Sequence, residues 1–384
     1  AVPGVDPVAP GRLLDTRIGE QFVTVDGLFQ GTGPIAARDR IELDVAGRAG
    51  VPANAQSVVL NVTAVAPEAP GYLTIYPCGT PRPNASNVNY VAGQVIPNLV
   101  VSKVGTGGRV CIYSSAASDV VVDVNGFVPA GGALEGVNPA RLTDTRSDHA
   151  TADGQQAGVG RLAADAVFEV LVAGRGGGPA DAAAAFLNVT AVSPDEAGYL
   201  TVFPCGTERP TASNVNYVTG EVVPNAVIGK IGDDGKVCIY TKAATDLVVD
   251  VTGYVPAGGA LEALNPARLL ETRDGAQFVT VDHLHEGEGA IAADGVYELV
   301  VSGRGGTNAP AAVFLNVTVA NPEAAGYITV WNCVGDRPTA SNVNYLPGEV
   351  AANAVLAEVN ADGKVCFYTK ATTDLIVDVN AYIP

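Results

Sequence analysis

Apolar and polar residues alternate along many short stretches of this chain. Residues 72–76 alternate tyrosine or threonine with leucine or isoleucine, and residues 119–125 carry valine at every second position. Residues 58–65 are mostly β-branched. A period of two places one set of side chains in a core and the other set outside, as in a β-strand. No segment keeps a 3.6-residue apolar period, so the pattern predicts an all-β protein.

Turn-forming residues separate these stretches. Asp-Gly pairs at residues 234–235 and 362–363 lie between apolar runs, and glycines at residues 105–108 occupy the corresponding place earlier in the chain. Such sequences favour tight hairpins, because they supply residues that adopt positive φ. Many short strands joined by such turns predict antiparallel β-sandwich modules with a jelly-roll-like topology.

The chain repeats itself three times. A Gly-Tyr-(Leu/Ile)-Thr block begins at Gly71, Gly198 and Gly326. Four other motifs keep nearly the same spacing, namely Arg-Leu-x-(Asp/Glu)-Thr-Arg from Arg12, Arg141 and Arg268, Asn-Val-Thr from Asn61, Asn188 and Asn316, Ser-Asn-Val-Asn-Tyr from Ser86, Ser213 and Ser341, and Asp-Val-x-x-(Phe/Tyr) from Asp123, Asp250 and Asp378. Repetition at this period predicts three tandem β modules. We place them at residues 1–131, 132–259 and 260–384.

Each repeat contains two cysteines that are 33 residues apart. No Cys-x-x-Cys pair is present, so neither a zinc site nor a redox motif is indicated. The spacing predicts one disulfide inside each module, worth about 3–4 kcal/mol on the chain-entropy description of loop closure. The predicted pairs are Cys78 with Cys111, Cys205 with Cys238, and Cys333 with Cys366.

Charge and composition narrow the partners and the compartment. The 384 residues carry 22 Lys and Arg against 40 Asp and Glu, a formal net charge of −18. A surface this acidic disfavours nucleic acid and anionic lipid. The apolar runs are shorter than the ~20 residues of a membrane helix, so we expect no membrane insertion. Met is absent, which we interpret as removal of a signal segment. Together with disulfides, this predicts a secreted, extracellular or cell-surface protein.

The Ser-Asn-Val-Asn-Tyr block places two amides on one strand face, about 7 Å apart. A row of amides could bind sugar hydroxyls, because each amide offers donors and an acceptor. The same amides could instead satisfy backbone groups of a loop or of a neighbouring strand. Both alternatives remain open at this point. The candidate ligand-binding residues are Asn87, Asn89, Asn214, Asn216, Asn342 and Asn344.

The terminal Asp-Val motif brings acidic and amide oxygens together on one strand face. Calcium accepts such ligands, but no Asp-x-Asp-x-Asp-Gly loop accompanies them, and whether calcium binds stays open. We favour ion pairs with the arginine motif, since the guanidinium fork fits a carboxylate. This interpretation places the first motif of each repeat beside its last strand. The candidate ion-pair residues are Arg12, Arg17, Asp123, Arg141, Arg146, Asp250, Arg268, Arg273 and Asp378.

Little in the chain indicates catalysis. The three histidines, His149, His283 and His285, do not occupy one equivalent position in all repeats. No Gly-x-Ser-x-Gly elbow is present. The glycine-rich segments 174–178 and 303–306 lack the lysine of a phosphate loop and are interpreted as turns between strands. We therefore predict no enzyme activity, no cofactor and no metal site.

The repeats differ most directly after the arginine motif. Repeats 1 and 3 share Gln-Phe-Val-Thr-Val-Asp at residues 21–26 and 277–282, whereas repeat 2 has an unrelated segment at residues 152–156. A segment that varies on a constant frame is typical of a loop that carries recognition. The Phe-Val-Thr-Val stretch could equally be an edge strand that pairs with another chain.

Four motifs together resemble a known group of proteins. They are Arg-Leu-Leu-Asp-Thr-Arg, Gly-Tyr-Leu-Thr-Val-Phe-Pro-Cys-Gly-Thr, Ser-Asn-Val-Asn-Tyr and Asp-Leu-Val-Val-Asp-Val-Thr-Gly-Tyr. This set is similar to β-rich repeat modules of secreted and surface proteins from high-GC Gram-positive bacteria (actinobacteria). The resemblance covers nearly the whole chain and implies a surface location and modular, non-catalytic use. It transfers no functional residue. Repeat 3 departs from the set at residues 334–336 and at Ala381.

Two functions therefore compete. In the first, the protein is structural or adhesive and self-associates into a fibre or coat. In the second, it is a multivalent lectin that binds a cell-surface glycan through three weak sites, gaining avidity from repetition.

Overall fold

The computed structural model describes residues 4–132, 134–338 and 340–384. Eight strands come from each repeat, and no α-helix occurs in these ranges. The strands of repeat 1 are β1 (Asp6–Asp15), β2 (Asp39–Asp44), β3 (Ser57–Val65), β4 (Gly71–Pro77), β5 (Val88–Tyr90), β6 (Val95–Lys103), β7 (Arg109–Ser114) and β8 (Asp119–Val128).

The other two repeats follow the same order. The strands of repeat 2 are β9 (Glu135–Asp144), β10 (Val167–Leu171), β11 (Ala182–Val192), β12 (Gly198–Pro204), β13 (Val215–Tyr217), β14 (Val222–Lys230), β15 (Lys236–Thr241) and β16 (Asp246–Pro256). The strands of repeat 3 are β17 (Glu262–Glu271), β18 (Val296–Val300), β19 (Ala312–Ala320), β20 (Gly326–Trp331), β21 (Val343–Tyr345), β22 (Ala351–Glu358), β23 (Lys364–Thr369) and β24 (Asp374–Ile383).

Each repeat builds two four-stranded antiparallel sheets. In repeat 1 their strand orders are β1-β8-β3-β6 and β2-β7-β4-β5, and both orders recur in repeats 2 and 3. One edge strand of every sheet faces the centre of the molecule. There β5 contacts β14, β13 contacts β22, and β21 contacts β6, so repeat 3 returns to repeat 1. The six sheets therefore form a closed ring.

The expectation of three tandem β-sandwich modules is wrong. The all-β class is right, but the six sheets are arranged as the blades of a six-bladed β-propeller. The alternating pattern reports which face of a strand is apolar, and it does not report which sheet covers the other face. Asn61 and Thr63 are 2% and 4% exposed, although both lie on the strand face that alternation predicts to be outside. A neighbouring repeat covers that face, because the ring is closed.

The apolar core has four main parts. Each repeat has its own cluster, shared by its two sheets. A fourth cluster lies at the centre and takes side chains from all three repeats, among them Val59, Leu99, Phe186, Phe314 and Leu356. The rings of Phe186 and Phe314 meet edge to face at 5.6 Å between centroids. Burial of apolar surface thus stabilises the ring as one body as well as each repeat.

The three predicted disulfides are confirmed. Cys78 is bonded to Cys111, Cys205 to Cys238, and Cys333 to Cys366. In every repeat the bond joins a cysteine one or two residues beyond the end of one strand to a cysteine within the strand hydrogen-bonded to it. In repeat 1 these are Cys78, after β4, and Cys111, in β7. The bridges therefore reinforce single blades and do not tie one repeat to another.

Candidate functional site

Buried asparagines join each repeat to the next. Asn225 Nδ2 donates to the backbone oxygen of Asn214 at 2.5 Å and to Oδ1 of Asn316, in repeat 3, at 2.7 Å. Its Oδ1 accepts the backbone N–H of Ala354, also in repeat 3, at 3.1 Å. Asn98 and Asn353 make the corresponding bonds across the other two junctions. A buried amide that satisfies three partners holds its neighbours in one arrangement.

The candidate amides divide into two groups. Asn87, Asn214 and Asn342 are at most 3% exposed, and their Oδ1 atoms accept backbone N–H groups of the adjacent blade strand at 2.7–2.8 Å. Those oxygens are therefore occupied inside the protein. Asn89, Asn216 and Asn344 are half-buried. Asn89 lines a crevice between repeats 1 and 2, and the other two line a hollow on the central axis.

The arginine motifs and terminal aspartates lie together at the repeat junctions. Arg141 donates to Asp250 through Nε and Nη2 at 2.9 and 3.1 Å, and to Asp144 at 3.0 Å. Arg146 donates to the same Asp144 at 2.7 Å. Asp250 also accepts the backbone N–H of Ser86, from repeat 1, at 3.0 Å. The cluster therefore binds the preceding repeat as well as its own.

The other two clusters use equivalent residues. Their ion pairs are Arg12 with Asp123 and Asp15, Arg17 with Asp15, Arg268 with Asp378 and Glu271, and Arg273 with Glu271. Burial opposes the charged form of Asp144, but Arg146 and Arg141 outweigh it and lower the pKa of this carboxyl. Burial also opposes the charge of Arg141, and Asp250 outweighs it and raises the pKa of the guanidinium. Both groups therefore stay ionised, as an ion pair requires.

A second set of arginines escaped the sequence-based prediction. Arg48, Arg175 and Arg304 are 5–8% exposed. Arg175 and Arg304 occupy the glycine-rich segments that the sequence indicates only as turns between strands, and Arg48 occupies the equivalent turn of repeat 1. Arg175 donates to the carboxylate of Asp153 at 2.7 Å and to the backbone oxygen of Leu142 at 2.7 Å. The signal that could have revealed it is an arginine kept in all three Gly-Arg turns while the flanking residues change.

These arginines hold one carboxylate each in the ionised form. Hydrogen bonds from Arg48, Arg175 and Arg304 lower the pKa of their aspartate partners to about 2. The partners are Asp26, Asp153 and Asp282. Each aspartate belongs to the variable segment after the arginine motif, so this pair ties that segment to the blade.

A polar crevice of about 420 Å³ lies at the junction of repeats 1 and 2. Repeat 1 contributes Tyr72, Arg82 and Asn89, and repeat 2 contributes Arg146 and His149. Arg82 lies over the ring of Tyr113 at 4.0 Å and donates to the hydroxyl of Tyr72 at 3.2 Å. None of the described residues that line this crevice is acidic.

The other two junctions are lined differently. The crevice between repeats 2 and 3 measures about 490 Å³ and includes Val279, Val281, Asp282 and Arg304. The crevice between repeats 3 and 1 measures about 190 Å³ and includes the single tryptophan, Trp331. The framework is therefore threefold, whereas its clefts are individual.

An exposed apolar ring surrounds one end of the central axis. Six aliphatic side chains at two equivalent positions of the three repeats are 39–57% exposed there, namely Val91, Val95, Val218, Val222, Leu346 and Val350. Four of them, Val95, Val218, Leu346 and Val350, line a hollow of about 390 Å³. We call these six residues the axial ring.

Polar groups lie within the axial ring at a third equivalent position. Gln94, Glu221 and Glu349 each accept the backbone N–H at the start of their own turn, at 2.7–3.1 Å. Burial and the nearby charge of Glu221 raise the pKa of Glu349. The hollow therefore combines an apolar rim with two carboxylates.

Comparisons with known proteins add no family. The chain matches no protein-family model and no curated protein. Solved structures that align with it include a chain described under "The Triple Jelly Roll Fold and Turret Assembly in an Archaeal Virus", at 7% identity and a TM-score of 0.22, covering 99% of this chain and 90% of the other. A chain of Sulfolobus Turreted Icosahedral Virus aligns at 7% identity and a TM-score of 0.21, covering 91% and 86%. Similarity this weak carries no argument about this protein.

The described residues contain no helix that is long and apolar enough to cross a membrane.

Proposed function

We propose that this protein is an extracellular, non-catalytic contact protein with a structural or adhesive role, and that the axial ring is its contact surface. The observation that carries the proposal is the exposure of six aliphatic side chains at equivalent positions around one axis. Exposed aliphatic side chains that are grouped in one area of a protein surface are typical of a site that another molecule covers. The disulfides are compatible with an oxidising, extracellular compartment.

The occupant that fits this surface is a partner with a cationic, apolar tip. Glu221 and Glu349 lie within the apolar rim, and a cation placed between them would offset their mutual repulsion. A second copy of this chain fits less well, because two axial rings face to face would bring four carboxylates together. Association through identical rings would also add to the self-repulsion of a chain with a net charge of −18.

The multivalent lectin ranks second. It needs the same amides to be available in all three repeats, and Asn87, Asn214 and Asn342 are already bonded within the ring. The resemblance to actinobacterial surface modules supports either role, since it implies location and modular use only.

The axial ring is tested by adsorption to defined surfaces. Quartz-crystal measurements would compare amine-terminated and carboxylate-terminated alkyl monolayers, using the full chain and the triple variant V91S/V218S/L346S. We expect the full chain to adsorb to the amine surface in preference to the carboxylate surface, and the variant to lose at least tenfold in retained mass.

A matched control replaces three equally exposed valines elsewhere. Val23, Val167 and Val296 are 51–56% exposed and lie outside the axial ring, so V23S/V167S/V296S should adsorb like the unmodified chain. Equal loss in both variants would contradict the proposal. Sedimentation velocity and electron microscopy would detect self-association of the full chain. Dimers or filaments that the axial variant abolishes would show that the axial ring binds a second copy of the chain and not a cationic partner.

A further inference from the structure

The crevice between repeats 1 and 2 differs from its two counterparts by a missing aromatic cover. In repeat 1 the ring of Phe22 lies over Arg17 at 3.9 Å, and in repeat 3 the ring of Phe278 lies over Arg273 at 4.0 Å. In those two repeats eight residues lie between the arginine and the equivalent aspartate, Asp26 or Asp282. In repeat 2 only six residues lie between Arg146 and Asp153. The phenylalanine is lost in this shortening, and His149 lines the crevice beside Arg146 instead.

The residues around the tyrosine on which the crevice arginine stacks also differ in charge between the repeats. In repeat 2, Arg209 lies over the ring of Tyr240 at 3.9 Å, and Tyr240 donates to Asp165. Lys242 donates to that carboxylate too, and Arg209 adds to the lowering of its pKa. Repeat 3 keeps this arrangement with Arg337, Tyr368, Asp294 and Lys370.

Repeat 1 reverses the sign of that position. It carries Arg38 where the other repeats carry Asp165 and Asp294, and all three residues share a positive φ of 58–63°. Ser115 replaces the lysine. The carboxylate that accepts from Tyr240 and Tyr368 in repeats 2 and 3 is therefore replaced by a cationic residue in repeat 1. Two independent differences, in cover and in charge, coincide at one junction.

We propose that this crevice binds an acidic saccharide, with a uronate carboxylate at Arg82 and Arg146. Arg146 uses Nε and Nη2 for Asp144, and among the residues that the structure describes its Nη1 has no acceptor. Arg82 lines the crevice and uses Nη1 for Tyr72, and among the described residues its Nε and Nη2 have no acceptor. An arginine fork that is already oriented by stacking and hydrogen bonds is well suited to bind a carboxylate.

The remaining lining favours a sugar over a simple anion. Asn84, Ser86 and Asn89 also line the crevice. Asn84 Nδ2 donates to the backbone oxygen of Ala150 and Asn89 Nδ2 donates to Ser86 Oγ, so the amide oxygens of the two asparagines, which accept no hydrogen bond from described residues, are the groups that can pair with sugar hydroxyls. About 420 Å³ is within the usual size of a site for a small organic ligand and is far more than a bare sulfate fills. The whole chain has a net charge of −18 and therefore repels polyanions at long range, so a short acidic oligosaccharide suits this site better than a nucleic acid. This proposal is independent of the axial ring.

The test is titration of the full chain with trigalacturonic acid, followed by calorimetry and by amide chemical shifts. We expect saturable binding with shifts concentrated at the lining residues of the crevice. Replacing Arg82 by glutamine, R82Q, should weaken binding about tenfold, because a hydrogen bond to a charged group is lost. The control is R209Q, which removes the equivalent stacked arginine of repeat 2 and should leave the affinity within twofold.

A second pair of variants protects the result from a folding defect. N89A removes an amide of the crevice and should also weaken binding, whereas N216A alters the equivalent residue of repeat 2 and should not. Equal effects of R82Q and R209Q would overturn the proposal, as would galactotriose binding as tightly as trigalacturonic acid. If inorganic sulfate produces the same shifts at the same concentration, the crevice is a simple anion site and the saccharide assignment fails.

Discussion

Replacing Asn225 with alanine should destabilise the whole ring. The amide of Asn225 makes three hydrogen bonds, to Asn214 O, Asn316 Oδ1 and Ala354 N, and two of these partners belong to the next repeat. Asn225 itself is 1% exposed, and Asn316 is likewise 1% exposed. Alanine at residue 225 leaves two acceptors and one donor without a partner in a place that water reaches poorly.

The size of the effect follows from those three groups. A buried polar group that loses its partner costs about 1–3 kcal/mol, so three groups give roughly 3–9 kcal/mol. A water molecule admitted to the space of the lost amide would recover part of this, which favours the lower half of the range. A domain has only about 5–15 kcal/mol of stability, so even 3–5 kcal/mol removes a large part of it.

The measurement is guanidinium unfolding followed by circular dichroism and by tyrosine fluorescence. N225A should lower the unfolding free energy by about 3–5 kcal/mol, whereas N265A, at an exposed asparagine of β17, should change it by less than about 0.5 kcal/mol. Equal, small effects of the two variants would refute the view that the asparagine network closes the ring. Two transitions in N225A where the unmodified chain has one would show that the junction had opened before the repeats unfolded.

Two further predictions concern the disulfides and the acidic limb of stability. Removing one bridge with C205S/C238S should lower the free energy of unfolding by about 3–4 kcal/mol, since the bridge closes a loop whose ends are 33 residues apart. When unfolding of this variant is measured with and without a reducing agent, the agent should not destabilise repeat 2 any further. Asp26, Asp153 and Asp282 have pKa values of about 2 in the folded chain against about 3.9 when unfolded, so their stabilisation is complete above about pH 5 and is lost as the pH falls toward 2. Urea unfolding between pH 2 and 5 should show this loss, and D153N should make the loss shallower; an unchanged slope would contradict the assignment.

The strands and the disulfides could be predicted from the sequence, whereas the ring could not. Alternation along residues 72–76 is a local property of one strand, because successive side chains point to opposite faces of the sheet. The local pattern is therefore enough to indicate a strand. Closure depends on contacts between strands far apart in the chain, such as β6 with β21. Alternation assigns the polar face that carries Asn61 to the outside of its strand. In the structure this face is buried against repeat 3, where Asn61 donates to the backbone oxygen of Ser341 and accepts from Asn353.

The sites could be predicted only in part. Pairing of Arg12 with Asp123 follows from opposite charge and from the order of motifs, and the structure places Arg12 Nε 2.9 Å from the carboxylate. The hydrogen bond from the backbone N–H of Ser86 to Asp250 could not be predicted, because the sequence does not show which repeat packs against the strand that carries Asp250. Gln94, Glu221 and Glu349 carried no signal either, since a single exposed polar residue in a turn is ordinary.

Comparison of the repeats separates residues that build the ring from residues that are available for function. A closed ring of three repeats needs the same contacts at every junction, and Asn98, Asn225 and Asn353 are accordingly kept. Positions that differ between repeats are not needed for closure. Where a difference removes an aromatic cover at one junction only, and a change of sign at Arg38 accompanies it, the ring is unaffected while the local chemistry changes. We therefore expect the positions that differ between repeats to determine ligand selectivity. The axial ring has aliphatic residues at the same positions in all three repeats, so we expect it to bind a partner that contacts all three repeats at once.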